Sequence, residues 1–510
     1  MLTGKRWEIL ILVGVMVIYT GLAFYKLTEY PPLGHDDLAS AGPAYQLLTE
    51  GNIGRGYSVP WYVNHFLMFL SFKIFGIGVL QIKLGSVIMG AVLLLTTYFI
   101  GRKLFSTKVA AIAILFLVTD SAFFQTARWG RSDIVAVTFF MLSLYLFLQA
   151  RDRSSNLMFS LSAIALGASV FSHENGLFLG IPIMYLLLLL DYKKTFFKQK
   201  LFWIFSSTLL LVAVPYILYI APDFSNYKDQ VLFFISRTGE SVGGFVFYHE
   251  QPSALFMGEI TERWRGYIAQ NSLVVGLFVL AVVNGLMKRD KSSKLILVAV
   301  ISMQVLFILI KKNGFYLVWM TPLLFILVSS LFVDIFNYLR TDSQGRFIKF
   351  LKGNRFAALT ATFLIFVILF SASSRIVGAT LLSDSYDSIG SQLNISVPAD
   401  AKVLGPGPFW LALRDRDYRG YGSAFNYAVE KRDNIPGFSL EQAILEVLED
   451  FKPDYVLYQE KDLPHTLPIR LALKDFLTDS PSIKETLIVG GNYYGEVEVW
   501  KVNWSEEDDN

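Results

Sequence analysis

Apolar runs long enough to cross a bilayer recur through the first 375 residues, and no soluble fold can bury them all. They lie near residues 8–25, 80–101, 108–124, 132–149, 157–172, 175–190, 202–221, 271–287, 294–310, 315–333 and 356–373. A hydrocarbon core about 30 Å thick needs roughly 20 apolar helical residues, so the pattern predicts about eleven transmembrane helices. The stretch WYVNHFLMFLSFKIFGIG, Trp61 to Gly78, reads either as a further span or as a helix lying in the interface. Composition agrees: of 510 residues, 54% are hydrophobic and only 17% charged, which is the balance of a polytopic membrane protein. The first run is followed by Tyr30, Pro31 and Pro32 and not by a small-residue cleavage site, so it reads as a retained helix. Cysteine is absent, which excludes disulfides, thiolate catalysis and Cys-ligated metals.

Sidedness follows from the basic residues, which fall in alternate loops. Lys5 and Arg6, Arg102 and Lys103, Arg151 and Arg153, Lys193 and Lys194, Lys288 and Arg289, and Arg346 and Lys349 share one side. By the positive-inside rule that side is cytoplasmic. The N-terminus is then inside, the span number is odd, and everything after Ser374 is outside. The loops of residues 26–79 and 222–270 become external. Residues 1–375 are expected to form a transmembrane catalytic domain. Residues 376–510 have a soluble composition and are expected to form an extracytoplasmic α/β domain. There AKVLG, DYVLYQ and EVEVWKV read as strands, and LEQAILEVLEDF reads as a helix ending before Pro453. No internal repeat is evident.

Four polar constellations interrupt this pattern on the predicted outer face. Asp36 and Asp37, in YPPLGHDDLAS, are adjacent carboxylates just beyond the first span. They suit proton transfer at a membrane surface, and equally an N-cap for the helix that follows. Arg128, Arg131 and Asp133, in TARWGRSDIVA, stand at the outer end of the fourth span. Two guanidinium forks can hold a phosphate while the carboxylate orients them or receives a sugar hydroxyl; the competing reading is interfacial arginines and an Asp133 N-cap. His173 and Glu174, followed by Asn175, occupy a tight turn between two spans. They have the donors of a divalent-metal site or a proton relay, or they form a polar turn, as does the His249–Glu250 pair. Lys311 and Lys312 break the positive-inside pattern, which points to an anionic lipid headgroup or diphosphate, or to snorkelling at a helix end.

The order and sidedness of these elements, with FGIGVLQIKLGSVIMGAVLLLTTYFIGRKLF followed by ARWGRSDIVAVTFFMLSLYLF, resemble the polyprenyl-phosphate-sugar-dependent glycosyltransferases of the glycosyltransferase-C fold. That group includes the protein O-mannosyltransferases and the lipid A aminoarabinose transferases. The similarity covers roughly the first 190 residues, with a looser match at KKNGFYLVWMTPLL. It implies Asp36 as general base, Asp37 at a neighbouring position commonly occupied by Glu, and Arg128, Arg131 and Lys312, with Lys311 beside it, around the donor phosphate. Asp133, His173 and Glu174 become substrate-binding candidates. The implied reaction is inverting transfer of a sugar from a polyprenyl-phosphate donor to a protein, lipid or glycan hydroxyl, in a multi-pass plasma-membrane protein with an extracytoplasmic site. No cofactor is required by this chemistry, although a divalent metal remains compatible with it, and no nucleic-acid partner is expected. The alternatives are a secondary transporter or lipid flippase whose charges line a path, and a non-catalytic scaffold indifferent to Asp36.

Overall fold

The structure, a computed structural model, describes residues 2–51, 62–225, 227–228, 256–288, 290–308, 314–341, 370–371, 373–381, 386–421, 439–460, 467–479, 483–491 and 495–504. Lys311, Lys312, His249, Glu250 and most of the 356–373 run lie outside the described residues. The chain divides into two compact units. One comprises Met1–Tyr25, Arg55–Met68 and Lys83–Gly378; the other comprises Lys26–Gly54, Phe69–Ile82 and Ala379–Asn510.

The helices before the C-terminal region are α1 (Leu2–Phe24), α2 (His35–Thr49), α3 (Tyr62–Phe75), α4 (Val79–Leu104), α5 (Thr107–Thr119), α6 (Ser121–Thr126) and α7 (Ser132–Arg153). They are followed by α8 (Asn156–Val170), α9 (Ile181–Tyr192), α10 (Lys200–Ile220), α11 (Arg265–Lys288), α12 (Lys291–Ile308) and α13 (Thr321–Thr341). Among the described residues, α4, α7, α10, α12 and the Phe256–Lys288 stretch containing α11 are long and apolar enough to cross a membrane. Three of the expected runs are not uniform helices. The 108–124 run divides at Asp120, whose carboxylate accepts the Phe123 N–H at 2.9 Å and starts α6 afresh. The 175–190 run opens with a π-helical turn, Gly176–Gly180, and the 315–333 run opens with a 3₁₀ turn, Gly314–Trp319.

Small and hydroxyl residues bring the first unit's helices together, as apolar side chains alone do not when the solvent is itself hydrocarbon. Ser143 and Ser162 exchange hydrogen bonds to each other's carbonyls at 2.8 Å, and Ser169 donates to the Ala136 carbonyl at 2.7 Å, which closes α7 on α8. At one end of the bundle Lys103 pairs with Asp152 at 2.6 Å, while Arg151 and Lys291 each lie 3.2 Å from Asp191. These residues come from loops that the charge pattern groups on one side.

The second unit contains a five-stranded sheet in the order β2 (Asp417–Gly420), β1 (Lys402–Gly405), β3 (Tyr455–Gln459), β5 (Gly495–Val502), β4 (Ile483–Gly491). β1 runs parallel to both β2 and β3; β5 is antiparallel to β3 and β4. All five β3 residues are buried, as suits a central strand. Among the described residues the unit also contains α14 (Tyr386–Ser396), α15 (Leu440–Phe451) and α16 (Leu467–Asp479). α15 starts at a Ser439–Gln442 capping box and buries Ala443, Ile444, Val447, Leu448 and Phe451 along one stripe. α2 belongs to this unit, and its Tyr45 ring packs edge-on against Trp410 at 5.3 Å.

Candidate functional site

In the first unit the chemistry gathers where α7 begins. Arg131 has extended backbone and is the N-cap, so Asp133 is not the cap but lies in the first helical turn. The Asp133 carboxylate is buried between two partners: Arg131 Nε lies 2.8 Å from Oδ2, and His173 Nε2 lies 3.5 Å from Oδ1. On its other side, His173 Nδ1 accepts the Asn175 backbone N–H at 3.1 Å and lies 3.3 Å from Glu174 Oε2. The His173 ring thus stands between two carboxylates, with Nε2 toward Asp133 and Nδ1 toward Glu174. Of the expected residues, Arg131, Asp133, His173 and Glu174 therefore form one cluster. Among the described residues no group of three or more His, Asp or Glu side chains is arranged to hold a metal ion.

Arg131 also lies against a pair of aromatic rings, both on one side of its guanidinium. Its guanidinium lies 5.5 Å from the centre of the Trp129 ring and 5.3 Å from that of Phe315, and those two rings meet edge-on at 4.3 Å. A fork held by a carboxylate and two aromatic rings loses little freedom when it engages an oxyanion. Arg128 differs. It is buried, donates to the Leu22 carbonyl at 3.0 Å and to the Tyr25 carbonyl, and lies over Phe124, so its fork satisfies the C-terminal end of α1.

Asp36 and Asp37 belong to the second unit. Gly34 is the N-cap of α2, so neither aspartate takes the capping position foreseen for it. Asp37 is buried and its Oδ2 accepts the Gly34 N–H at 2.6 Å, while Asp36 is half-buried beside it. Both carboxylates sit in the first turn, where the helix dipole favours negative charge.

Several site-supporting residues were not singled out from the sequence. Arg263, fully buried, pairs with Glu259 one turn earlier at 2.8 Å, donates to the Phe307 carbonyl at 2.9 Å, and stacks on Phe307 at 4.2 Å and on Tyr316 at 5.7 Å. Tyr316 in turn meets the His173 ring edge-on at 5.5 Å. The Gly314–Trp319 turn, which supplies Phe315 to Arg131 and Tyr316 to His173, thus rests on a buried ion pair. A second network joins Asp120 to Tyr267 Oη at 2.5 Å, Ser121 to Asn271 at 2.5 Å, and Asn271 to Arg375 at 3.3 Å. Asn271 has non-helical φ/ψ and kinks α11 there. The available signal was Asp120 itself, the one acidic residue in an otherwise apolar run. The start of α3 is also tied to the cluster. Val63 N–H donates to the Phe171 carbonyl at 3.1 Å and Asn64 Nδ2 to the Gly130 carbonyl at 3.3 Å.

Comparison with known proteins bears on this geometry. The family described as dolichyl-phosphate-mannose-protein mannosyltransferase matches residues 59–219, the segment that carries the Arg131 cluster. An uncharacterized protein of Aquifex aeolicus is 24% identical over 204 residues, which make up 38% of this chain and 39% of that relative. The fold is similar to that of ArnT from Cupriavidus metallidurans. The apo structure superposes with a TM-score of 0.67 at 13% identity, covering 98% of both chains. The structure bound to undecaprenyl phosphate gives 0.64 at 16% identity, covering 98% of this chain and 99% of that one. The archaeal oligosaccharyltransferase AglB from Archaeoglobus fulgidus, in complex with an inhibitory peptide and a dolichol-phosphate, gives 0.56 at 13% identity over 89% of this chain and 69% of that one. The chain therefore has the glycosyltransferase-C fold expected from its sequence.

Proposed function

We propose that this chain is a membrane glycosyltransferase that moves a sugar from a polyprenyl-phosphate donor to an acceptor hydroxyl. The observation that carries the reading is the Arg131 fork, oriented by buried Asp133 and two aromatic rings in a chain with the fold of a protein crystallised with undecaprenyl phosphate. In this mechanism Arg131 binds the donor phosphate and stabilises it as it leaves, with Lys311 and Lys312 adding positive charge. Asp133 holds Arg131 in place, and His173 with Glu174 fixes Asp133 and meets donor hydroxyls. Asp36 takes the proton from the acceptor hydroxyl, which attacks the anomeric carbon and inverts it, while Asp37 secures the start of α2. Arg128 acts through structure, by anchoring α1.

The acceptor is a peptide, lipid or glycan. The reaction runs on the extracytoplasmic face of the plasma membrane, in a chain of about eleven spans with its N-terminus inside. The test is transfer of labelled sugar from a panel of polyprenyl-phosphate sugars in membranes holding the wild-type chain or Asp36→Asn, with and without chelator. Loss of transfer in Asp36→Asn supports the reading. Turnover by neither protein across the panel overturns it, and equal turnover by both removes the base assignment.

A further inference from the structure

Two polar side chains beside the Arg131 cluster have no role in this mechanism. His65, on the first turn of α3, is 8% exposed, and neither of its ring nitrogens has a hydrogen-bond partner among the described residues. The Asn175 side-chain nitrogen Nδ2, on a residue 3% exposed, is in the same condition. Burying a hydrogen-bonding group without a partner is costly, so two such groups on joined segments call for an occupant. The Val63–Phe171 and Asn64–Gly130 hydrogen bonds are the join: they fasten the start of α3 to the turn bearing His173 and to the residue preceding Arg131.

The chemistry of the occupant can be read from the groups available. The imidazole offers one donor and one acceptor, and Asn175 Nδ2 offers donors. Tyr62 adds an aromatic ring, edge-on to His65 at 6.2 Å and in contact with Tyr216 and Tyr219 at 5.8 and 6.1 Å. An aliphatic lipid chain would leave the nitrogens without partners, and a phosphate would leave the imidazole acceptor unused. A sugar ring presents hydroxyls that both donate and accept, together with C–H faces that pack on aromatic rings. We propose that His65, Asn175 and the Tyr62 ring form the subsite for the sugar of the lipid-linked donor. The proposal rests on the glycosyl-transfer reading and deepens it.

The experiment measures binding to the full-length protein of two probes: undecaprenyl phosphate, and the sugar-charged undecaprenyl phosphate preferred by the wild type within the panel. His65→Leu and Asn175→Ala are each expected to weaken the charged probe at least about tenfold, the loss of one desolvated hydrogen bond, and to leave the bare phosphate within about twofold. Ligand-free His65→Leu should melt no lower than wild type, because an orphaned polar group has been removed. Unchanged affinity for the charged probe, or parallel loss of both probes, overturns the subsite while leaving the transferase reading intact. Wild-type protein that binds neither probe overturns both.

Discussion

Gly176→Ala tests the site through a residue with no side chain. A Cβ there would lie 2.5 Å from the Ser169 carbonyl carbon and 2.6 Å from both the Ser169 oxygen and the Val170 nitrogen. Ordinary carbon contacts begin near about 3.5 Å, so the π turn and the end of α8 must part by about 1 Å. All three obstacles are backbone atoms, so no rotamer change relieves the clash. The Gly176 N–H bonds the His173 carbonyl at 2.8 Å, and the displacement therefore reaches a residue whose Nε2 lies only 3.5 Å from Asp133. Overpacking of this kind costs about 1–3 kcal/mol of stability. A 1 Å error in a positioned group lowers catalysis by about 10²-fold. The control is Gly276→Ala in α11, where a Cβ meets nothing within 4 Å and the substitution should be neutral or stabilise by up to about 1 kcal/mol. Denaturant unfolding of the solubilised protein and labelled-sugar transfer provide the two readouts. If Gly176→Ala matches Gly276→Ala in both, the reasoning that ties this turn to the site is wrong.

Other outcomes follow from the same contacts. Arg131→Lys keeps the charge but loses the fork between Asp133 and the two rings, and should raise the donor KM by about tenfold or more, read from initial rates across donor concentrations. Arg263→Met leaves Glu259 buried without its ion-pair partner and should destabilise by about 3–5 kcal/mol, whereas the double variant with Glu259→Gln should recover much of that loss in unfolding measurements. Asp290 accepts hydrogen bonds from Ser293 N at 2.9 Å and Ser293 Oγ at 2.6 Å at the start of α12, so Asp290→Ala should cost about 1 kcal/mol. Partial loss of hydration raises the exposed Asp290 carboxyl, but the Ser293 hydrogen bonds and Lys288 outweigh it and hold the group below its ordinary value. A carboxyl lowered in the folded state contributes stability that is present above its unfolded pKa and is lost as pH falls through the folded value. An acid unfolding series should show that loss in the wild type and a shallower slope in Asp290→Ala.

The candidate site was legible in part. Arg131, Asp133 and the His173–Glu174 pair stand out because ionisable residues beside long apolar runs are conspicuous in one dimension. Asp120 is equally conspicuous, a single carboxylate inside the apolar 108–124 run. Arg263 and Glu259 are separated by one helical turn, a spacing common on solvated helices, and nothing local shows that theirs is fully buried. Arg128 illustrates the converse: its neighbours suggested a phosphate, but its partners are carbonyls of α1, 106 residues away in the case of Leu22.

The sequence alone determined what depends on local composition and period. That includes membrane-length helices, the alternation of basic loops, the strands at AKVLG, DYVLYQ and EVEVWKV, and the α15 cap and stripe, because hydrophobic burial and capping act over a few residues. Tertiary structure decided what each polar group faces. Asp133 became the bridge between Arg131 and His173, and Asp120 met Tyr267 across 147 residues. His65 came to lie buried with neither nitrogen satisfied. Helix packing set these outcomes: a side chain's chemistry is written in the chain, but its partners depend on which faces of distant helices fit closely enough to exclude solvent.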